Sequence, residues 1–345
     1  MQTEVIKLDP GNFDPERLRR AAAILRTGGL VALPTETVYG LGAVYNHEPA
    51  LAEIFRTKGR PADNPLIVHI YRVEQLELLT EQVEPKLQLL MEHFWPGPLT
   101  LVFPKKAVVP SLVTAGLSTV AVRMPAHPVA AALLRLTGLP VAAPSANLSG
   151  KPSPTRGSHV LRDFQGKIPL VIDAGPCEAG IESTVAMINQ GKLLILRPGF
   201  VTREMLETVL REKVLTAAGK SDRPQAPGMK YRHYAPEAPV ILVEGDKNLV
   251  VAKINALLNE TGAEQKAAVI GASENLEKYR SQWRLDLGPE NDLELAAARL
   301  YELLRQCDDL GVDRIFIEAP AGDGIGAALK NRLYKAAGGS VIHVT

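Results

Sequence analysis

Hydrophobic periodicity disappears between Lys213 and Pro239 and resumes on both sides. That gap limits the folds open to the chain more than any other feature. It carries Pro224, Pro227, Pro236 and Pro239, and five cations (Lys213, Lys220, Arg223, Lys230, Arg232) against two acids (Asp222, Glu237). Prolines at that density keep a backbone out of helices and sheet ladders. The pattern predicts two domains, over 1–212 and 239–345, joined by a linker over 213–238. A chain of 345 residues is long enough for both. Within the gap, Met229-Lys-Tyr-Arg-His-Tyr234 sets aromatics among cations. Such a segment either folds over a site as a lid, through Tyr231, His233 and Tyr234, or docks on a domain for stability.

Before the gap, short apolar runs alternate with a few amphipathic helices. Asp14-Pro15-Glu16 opens a helix with an apolar stripe of Leu18, Ala21, Ala22 and Leu25, ended by Gly28-Gly29. Leu30–Leu33 reads as a strand buried on both faces. Leu66–Ile70, Leu99–Phe103, Thr119–Met124, Pro140–Ala143, Leu170–Asp173, Val185–Ile188 and Leu193–Arg197 read as further strands. Helices fall at Glu84–Phe94 and Val129–Leu136, and one begins after Thr202. Beyond the gap, strands at Val240–Val243, Ala267–Ile270 and Arg314–Ile317 alternate with helices at Leu249–Leu258, Leu293–Leu310 and Ile325–Ala337. That alternation predicts a small parallel sheet, the Rossmann-like layer of an α/β domain.

The chemistry concentrates in loops of the first domain. Arg56-Thr-Lys-Gly-Arg-Pro-Ala-Asp-Asn64 ends a helix at Gly59 and puts Lys58 and Arg60 on a stiff turn. Lysine as a point charge and arginine as a two-pronged donor suit phosphate. The plainer reading is a solvated helix end whose cations offset the helix dipole. Pro34–Gly42 leaves a strand with two threonines, an acid and a tyrosine, and Pro144–Gly150 is built of small donors and acceptors. Two decoys fail. Gly219-Lys220-Ser221 lacks the first glycine of a phosphate loop, since position 214 is Val214. Gly322-Asp-Gly-Ile-Gly-Ala327 resembles a dinucleotide fingerprint, but no strand with an acid follows it.

A formal net charge of +1 argues against nucleic-acid binding through bulk charge. Cys177 and Cys307 share no motif with histidine, which argues against zinc and against a disulfide framework. The N-terminal residues do not form a signal peptide, and no apolar run approaches a membrane span, so a cytoplasmic protein without membrane contact is expected.

Taken in order, Pro-Thr-Glu-Thr-Val-Tyr-Gly-Leu-Gly (34–42), Lys-Gly-Arg-Pro (58–61), Asn-Pro-Leu (64–66), Arg123, Pro-Ser-Ala-Asn-Leu-Ser-Gly (144–150), Glu-Ser-Thr-Val (182–185) and Leu-Arg-Pro-Gly (196–199) resemble the YrdC-like family. Residues 227–236 and 324–333 extend the resemblance to its two-domain threonylcarbamoyl-AMP synthases. It implies a twisted mixed α/β sheet with a cationic concave face and a smaller Rossmann-like C-terminal domain. It implies L-threonine, bicarbonate and ATP as substrates, with Mg2+ accompanying the triphosphate through no evident protein ligand. The product would feed the tRNA threonylcarbamoyl transferase machinery. By the same resemblance Lys58 and Arg60 are catalytic. ATP would be held by Lys58, Arg60, Asn64, Thr119, Ser145, Asn147, Ser153, Arg197 and His233. Threonine would be held by Thr37, His69, Arg123, the Ala143 backbone and Ser183. The rival readings are an RNA-binding module with weak backbone contacts and a carbamoyl transferase without threonine specificity.

Overall fold

A computed structural model describes residues 2–217, 233–262 and 264–345. The chain divides into two compact units. The first holds Met1–Ser149 and Ser153–Tyr231; the second holds Gly150–Pro152 and Arg232–Thr345.

In the first unit the elements run β1 (Glu4–Lys7), α1 (Arg19–Arg26), β2 (Val31–Leu33), β3 (Gly40–Val44), α2 (Glu48–Lys58), β4 (Ile67–His69), α3 (Pro85–Phe94), β5 (Leu99–Pro104) and α4 (Ser111–Thr114). They continue with β6 (Thr119–Arg123), α5 (Pro128–Thr137), β7 (Val141–Ala142), α6 (Gly157–Phe164), β8 (Leu170–Asp173), β9 (Thr184–Asn189), β10 (Lys192–Arg197), α7 (Arg203–Leu210) and β11 (Leu215–Thr216). All eleven strands join one mixed sheet in the order β1-β8-β2-β3-β7-β4-β6-β5-β9-β10-β11. The expected strand Leu30–Leu33 is β2, buried at every position.

Local chemistry sets several of these ends. Asp14 accepts from the Glu16 N–H and starts a 3-10 turn over Pro15–Leu18, so α1 begins only at Arg19, later than the sequence pattern suggests. Gly59 takes φ 61° as the C-cap of α2, a left-handed geometry that costs glycine nothing, and its N–H and that of Arg60 satisfy the last carbonyls of the helix. Thr202 caps α7 through the Met205 N–H. Five elements carry weak signals. β1, α4 and α6 are unforeseen, and β11 falls inside the segment read as linker from 213. Gly40-Leu-Gly42, which reads as loop, belongs to β3. Gly42 is needed there because a Cβ would come within 2.9 Å of both Leu33 and Val141 on flanking strands.

In the second unit β12 (Val240–Gly245), α8 (Lys247–Glu260), β13 (Ala267–Ala272), β14 (Trp283–Gly288), α9 (Leu293–Leu310), β15 (Arg314–Glu318), α10 (Ile325–Ala337) and β16 (Val341–Val344) follow one another. The sheet is β14-β13-β15-β12-β16, and every pairing in it is parallel. Its interior is Val243, Val250, Ile254, Val269 and Phe316. The parallel layer has two strands, β14 and β16, that the apolar pattern does not pick out. The expected phosphate-loop decoy at 219–221 lies outside the described residues.

Candidate active site

Strand register brings distant residues of the first unit onto one line. Val141 of β7 pairs with His69 of β4, His69 with Arg123 of β6, and Arg123 with Thr100 of β5. Thr100 then pairs with Val185 of β9, and Val185 with Arg197 of β10. Laterally paired residues share a face of the sheet. His69, Thr100, Arg123 and Arg197 therefore stand on one face, in a row crossing six strands. A bulge between Ile195 and Arg197 sets the register at the far end of the row. Beside it on the same face lies an apolar patch of Ile67, Val102, Ala121, Val185 and Leu196.

Arg123 is the best-tied member of the row, 3% exposed. Its Nη1 donates to Thr37 Oγ1 at 2.7 Å and its Nε to the Gly97 carbonyl at 3.1 Å. Its Nη2 stands 2.6 Å from Glu36 Oε1 as an ion pair. The same carboxylate oxygen accepts from the Ala126 N–H at 3.0 Å. Burial alone would raise the Glu36 carboxyl, but the Arg123 charge and the Ala126 N–H outweigh it and hold Glu36 below the usual carboxylate range. Burial, and then the nearby Arg123 cation, push His69 down to about 3, so its imidazole is neutral at any physiological pH. Glu36 Oε2, His69 Nδ1 and Arg123 Nη2 are enclosed yet make no hydrogen bond of good geometry. A buried polar atom left so costs about 1–3 kcal/mol. Arg123 Nη2 still has the Glu36 carboxylate, so two such atoms, Glu36 Oε2 and His69 Nδ1, stand beside the guanidinium and fit a spot shaped to receive a small polar ligand.

A second group forms around Lys58, the last residue of α2 and 2% exposed. Its Nζ donates to the carbonyls of Ser145 and Asn147, each at 2.5 Å, and the Ser149 N–H returns to the Lys58 carbonyl. A β-bridge from Ser145 to Gly40 and the Ala146 N–H on the Tyr39 carbonyl fasten the same loop to the loop before β3. Lys58 thus holds the Ser145–Asn147 turn in shape, a role that a point charge expected on phosphate does not by itself imply. Arg60 Nη2 donates to the carbonyls of Asn64 and Pro65 at 3.2 and 3.0 Å, closing its own loop. Asn64 is buried, and its Oδ1 has no hydrogen-bond partner.

The third group gathers at Arg197. Its Nη2 donates to the Ser183 carbonyl at 2.9 Å and to Ser183 Oγ at 3.2 Å, and Ser183 Oγ lies 2.8 Å from Thr100 Oγ1. One residue back, Glu182 Oε1 accepts from Ser153 Oγ at 2.6 Å. Gly199 lets the two segments touch, since a Cβ there would lie 2.4 Å from the Thr184 nitrogen.

The register row and its hydrogen bonds join Thr37, His69, Arg123, Ser183 and Arg197. Lys58, Ser145 and Asn147 form one cluster, and Arg60 with Asn64 another. Ala143 follows β7 and donates its N–H to the Ile67 carbonyl at 2.9 Å, beside His69's strand. Thr119 shares the face of Arg123 but opens β6, four residues away, or about 13 Å along the strand. Tyr231 lies outside the described residues. His233 and Tyr234 belong to the second unit, where Tyr234 packs on Tyr301 with ring centroids 5.3 Å apart and under the Arg332 guanidinium. Three residues escape sequence reasoning. Glu36 sits inside a motif read for its threonines, Thr100 inside a strand, and Glu182 beside a serine that drew the attention. The signal at Glu36 and Glu182 was an acid inside a motif loop, next to threonine or serine. Among the described residues no three His, Cys, Asp or Glu side chains gather as a metal cage. No helix among them is long and apolar enough to cross a membrane.

Comparison with known proteins follows the two units. Residues 23–199 match the family model of Sua5, YciO and YrdC, described as telomere recombination. Residues 201–338 match the threonylcarbamoyl-AMP synthase C-terminal domain. The threonylcarbamoyl-AMP synthase of Pyrococcus abyssi is 49% identical, over 95% of this chain and 96% of its own. That of Bacillus subtilis is 46% identical, over 95% of both. The crystal structure of P. abyssi Sua5 complexed with L-threonine superposes with a TM-score of 0.93 at 45% identity, covering 100% of both chains. With one family model over just over half of the chain, a second over most of the remainder, and relatives near half identity along almost all of it, the chain belongs to the Sua5/YciO/YrdC family in its two-domain Sua5 form.

Proposed function

We infer that the chain is a threonylcarbamoyl-AMP synthase, which joins L-threonine, bicarbonate and ATP into threonylcarbamoyl-AMP and pyrophosphate. The observation that carries this reading is the buried Arg123–Glu36 ion pair, with Glu36 Oε2 and His69 Nδ1 left without a hydrogen bond beside it, in one register row with Arg197. Full-length similarity to synthases of that name, and to a Sua5 that binds L-threonine, supports it.

In this mechanism the threonine amine takes up carbon dioxide derived from bicarbonate, forms an N–C bond and sheds a proton. A carbamate oxygen then attacks the α-phosphorus of ATP, and the bond to the bridging oxygen of pyrophosphate breaks. Negative charge gathers on phosphate oxygens, so fixed cations lower the barrier more than an acid–base pair would. Arg123 takes the threonine carboxylate in bidentate fashion, with Glu36 holding the guanidinium in place. Thr37, Ser183 and the Ala143 backbone complete the threonine pocket. Neutral His69 offers Nδ1 as a hydrogen-bonding atom and not as a charge. Lys58, Arg60 and Arg197 serve the phosphates. Asn64, Ser145, Asn147 and Ser153 line the nucleotide pocket, and Thr119 lies past the apolar patch of Ile67, Val102 and Ala121 that suits a flat base. In this reading the expected lid residues Tyr231, His233 and Tyr234 would keep water from the labile mixed anhydride. The linker in this reading starts beyond β11, whose Leu215 and Thr216 pair with β10, and not at 213. Mg2+ would accompany the triphosphate and would help neutralise the charge on its phosphates.

The product serves the tRNA threonylcarbamoyl transferase machinery in the cytoplasm, and the enzyme is a nucleotidyltransferase by reaction type. The test is pyrophosphate release with each substrate withheld in turn. Release should require threonine, bicarbonate and ATP together, and release without threonine overturns the reading. Equal rates with serine or isoleucine would favour a carbamoyl transferase of wider scope.

A further inference from the structure

The second unit has a cavity of its own, of about 360 Å3, that the reaction above does not use. It lies at the C-terminal ends of the parallel strands, where Gly245 ends β12, Ala272 ends β13, Gly288 ends β14 and Glu318 ends β15. The connections from the two neighbouring strands β13 and β15 diverge. The chain leaving β13 goes to β14 at one edge of the sheet, and the chain leaving β15 goes to β16 at the other. A crevice at such a reversal is where open parallel sheets take their ligands.

Its walls combine two characters. Val250, Leu287, Pro289, Leu293, Ala296 and Pro320 make an apolar slot. Bare backbone lines the rest at Gly245, Gly288 and Gly322, with φ of 138°, 116° and 96°. A side chain at position 245 would run into the Val344 carbonyl, so the approach is open only to glycine. The first turns of α8 and α9 contribute Lys247, Val250, Leu293 and Ala296, and the loop before α10 contributes Ala319–Gly322. Helix N-termini directed at one cavity favour an anion there.

Among the charged groups on the cavity, Glu318 and Lys330 are the two in no ion pair with a described residue. Glu244 accepts from the Tyr334 hydroxyl and pairs with His343, and Glu290 pairs with Lys247. Glu318 is 7% exposed, and its carboxylate accepts from Asn275 Nδ2 at 2.6 Å on one oxygen and from the Tyr279 hydroxyl and Ala272 N–H on the other. A carboxylate has about four acceptor positions, so one on Oε1 is left for a ligand hydroxyl. Lys330 forms no ion pair with any described residue.

We propose that this cavity is a binding site for a nucleoside monophosphate: the ring in the apolar slot, a sugar hydroxyl on Glu318, and the phosphate beside Lys330. The volume stands at the small end of the roughly 300–1,000 Å3 typical of ligand sites, which suits one nucleotide and excludes an extended dinucleotide. The site is separate from the ATP pocket of the first unit and independent of that assignment.

The test is hydrogen–deuterium exchange of the full-length chain with AMP, adenosine and inorganic phosphate as probes. AMP should slow exchange in segments 286–296 and 318–330, at a concentration at least tenfold below that needed of adenosine or phosphate. The same protection should persist in the Lys58→Ala/Arg60→Ala chain and weaken at least tenfold in Lys330→Glu, with Lys330→Met intermediate. The proposal falls if AMP leaves both segments unchanged, or if phosphate alone matches AMP. It also falls if protection disappears with Lys58 and Arg60 yet survives in Lys330→Glu.

Discussion

The two units solve the problem of building a site in opposite ways. In the first, a mixed sheet aligns residues from six strands, and buried charges form the candidate site. In the second, a purely parallel sheet leaves a crevice at its strand ends, lined by glycine backbone and apolar side chains, with its acids already partnered. The difference is thermodynamic. Buried ions demand rigid, mutually supporting partners, because one left alone costs several kcal/mol. A crevice of backbone and hydrocarbon can stand empty with little penalty. The first site should therefore tolerate less change in its side chains than the second.

The most severe break in that contrast comes from Lys58→Ala with Arg60→Ala. Each lost donor costs about 10²–10³-fold in turnover, so pyrophosphate release should fall on the order of 10⁴-fold or more. Circular dichroism should report a folded chain. Retained turnover removes both residues from the chemistry. Arg123→Met should follow, with threonine-dependent kcat/KM lower by about 10³-fold. It should also lose about 3–5 kcal/mol of stability in urea titrations, because Glu36 would remain buried without its cation. A variant as stable as the parent would mean that the pair is not a structural unit.

Acid sharpens the comparison further. In the unfolded chain His69 takes a proton below about 6.5, whereas in the folded chain it stays neutral down to about 3. The unfolded state binds more protons over that window, so stability is full above it and declines as pH falls. Between pH 7 and 5 the loss from this group should be on the order of 2 kcal/mol, and His69→Gln should flatten the curve. Glu36 adds to the decline only below the ordinary carboxylate range. A parent profile as flat as that of His69→Gln would refute the buried, neutral imidazole. The smallest effect belongs to Glu36→Gln, which keeps the shape and removes the charge. It should raise the KM for threonine about tenfold, the scale of one charge-assisted contact, with kcat nearly unchanged. A drop in kcat with constant KM would make Glu36 a participant in the chemistry instead.

Much of this was legible in the sequence, and the reasons differ by feature. Local signals carried the cap at Thr202, the left-handed stop at Gly59 and the buried strand at Val31–Leu33, because each depends on residues within a turn of itself. The motif loops were legible as chemistry. Which residues would meet was not, since register across β7, β4, β6, β5, β9 and β10 is a long-range property. Glu36 shows the limit: its partner Arg123 lies 87 positions away. Lys58 shows another, because a cation at a helix end gives no hint that it will hold the carbonyls of Ser145 and Asn147. The glycine run at 322–327 lacks the acid of a dinucleotide fingerprint, and its Gly322 lines the cavity together with Gly245 and Gly288, which end two different strands, a meeting that no local pattern signals.

The row across six strands has a consequence for assembly of the fold. Side chains in a strand alternate between faces, so a slip of one residue in any single pairing would turn Arg123, His69 or Arg197 to the opposite side. On the proposed reading a misaligned chain would be inert and not merely sluggish. Activity in a refolding preparation should then count correctly registered molecules one for one, which makes turnover a more exacting gauge of native sheet than any measure of secondary-structure content.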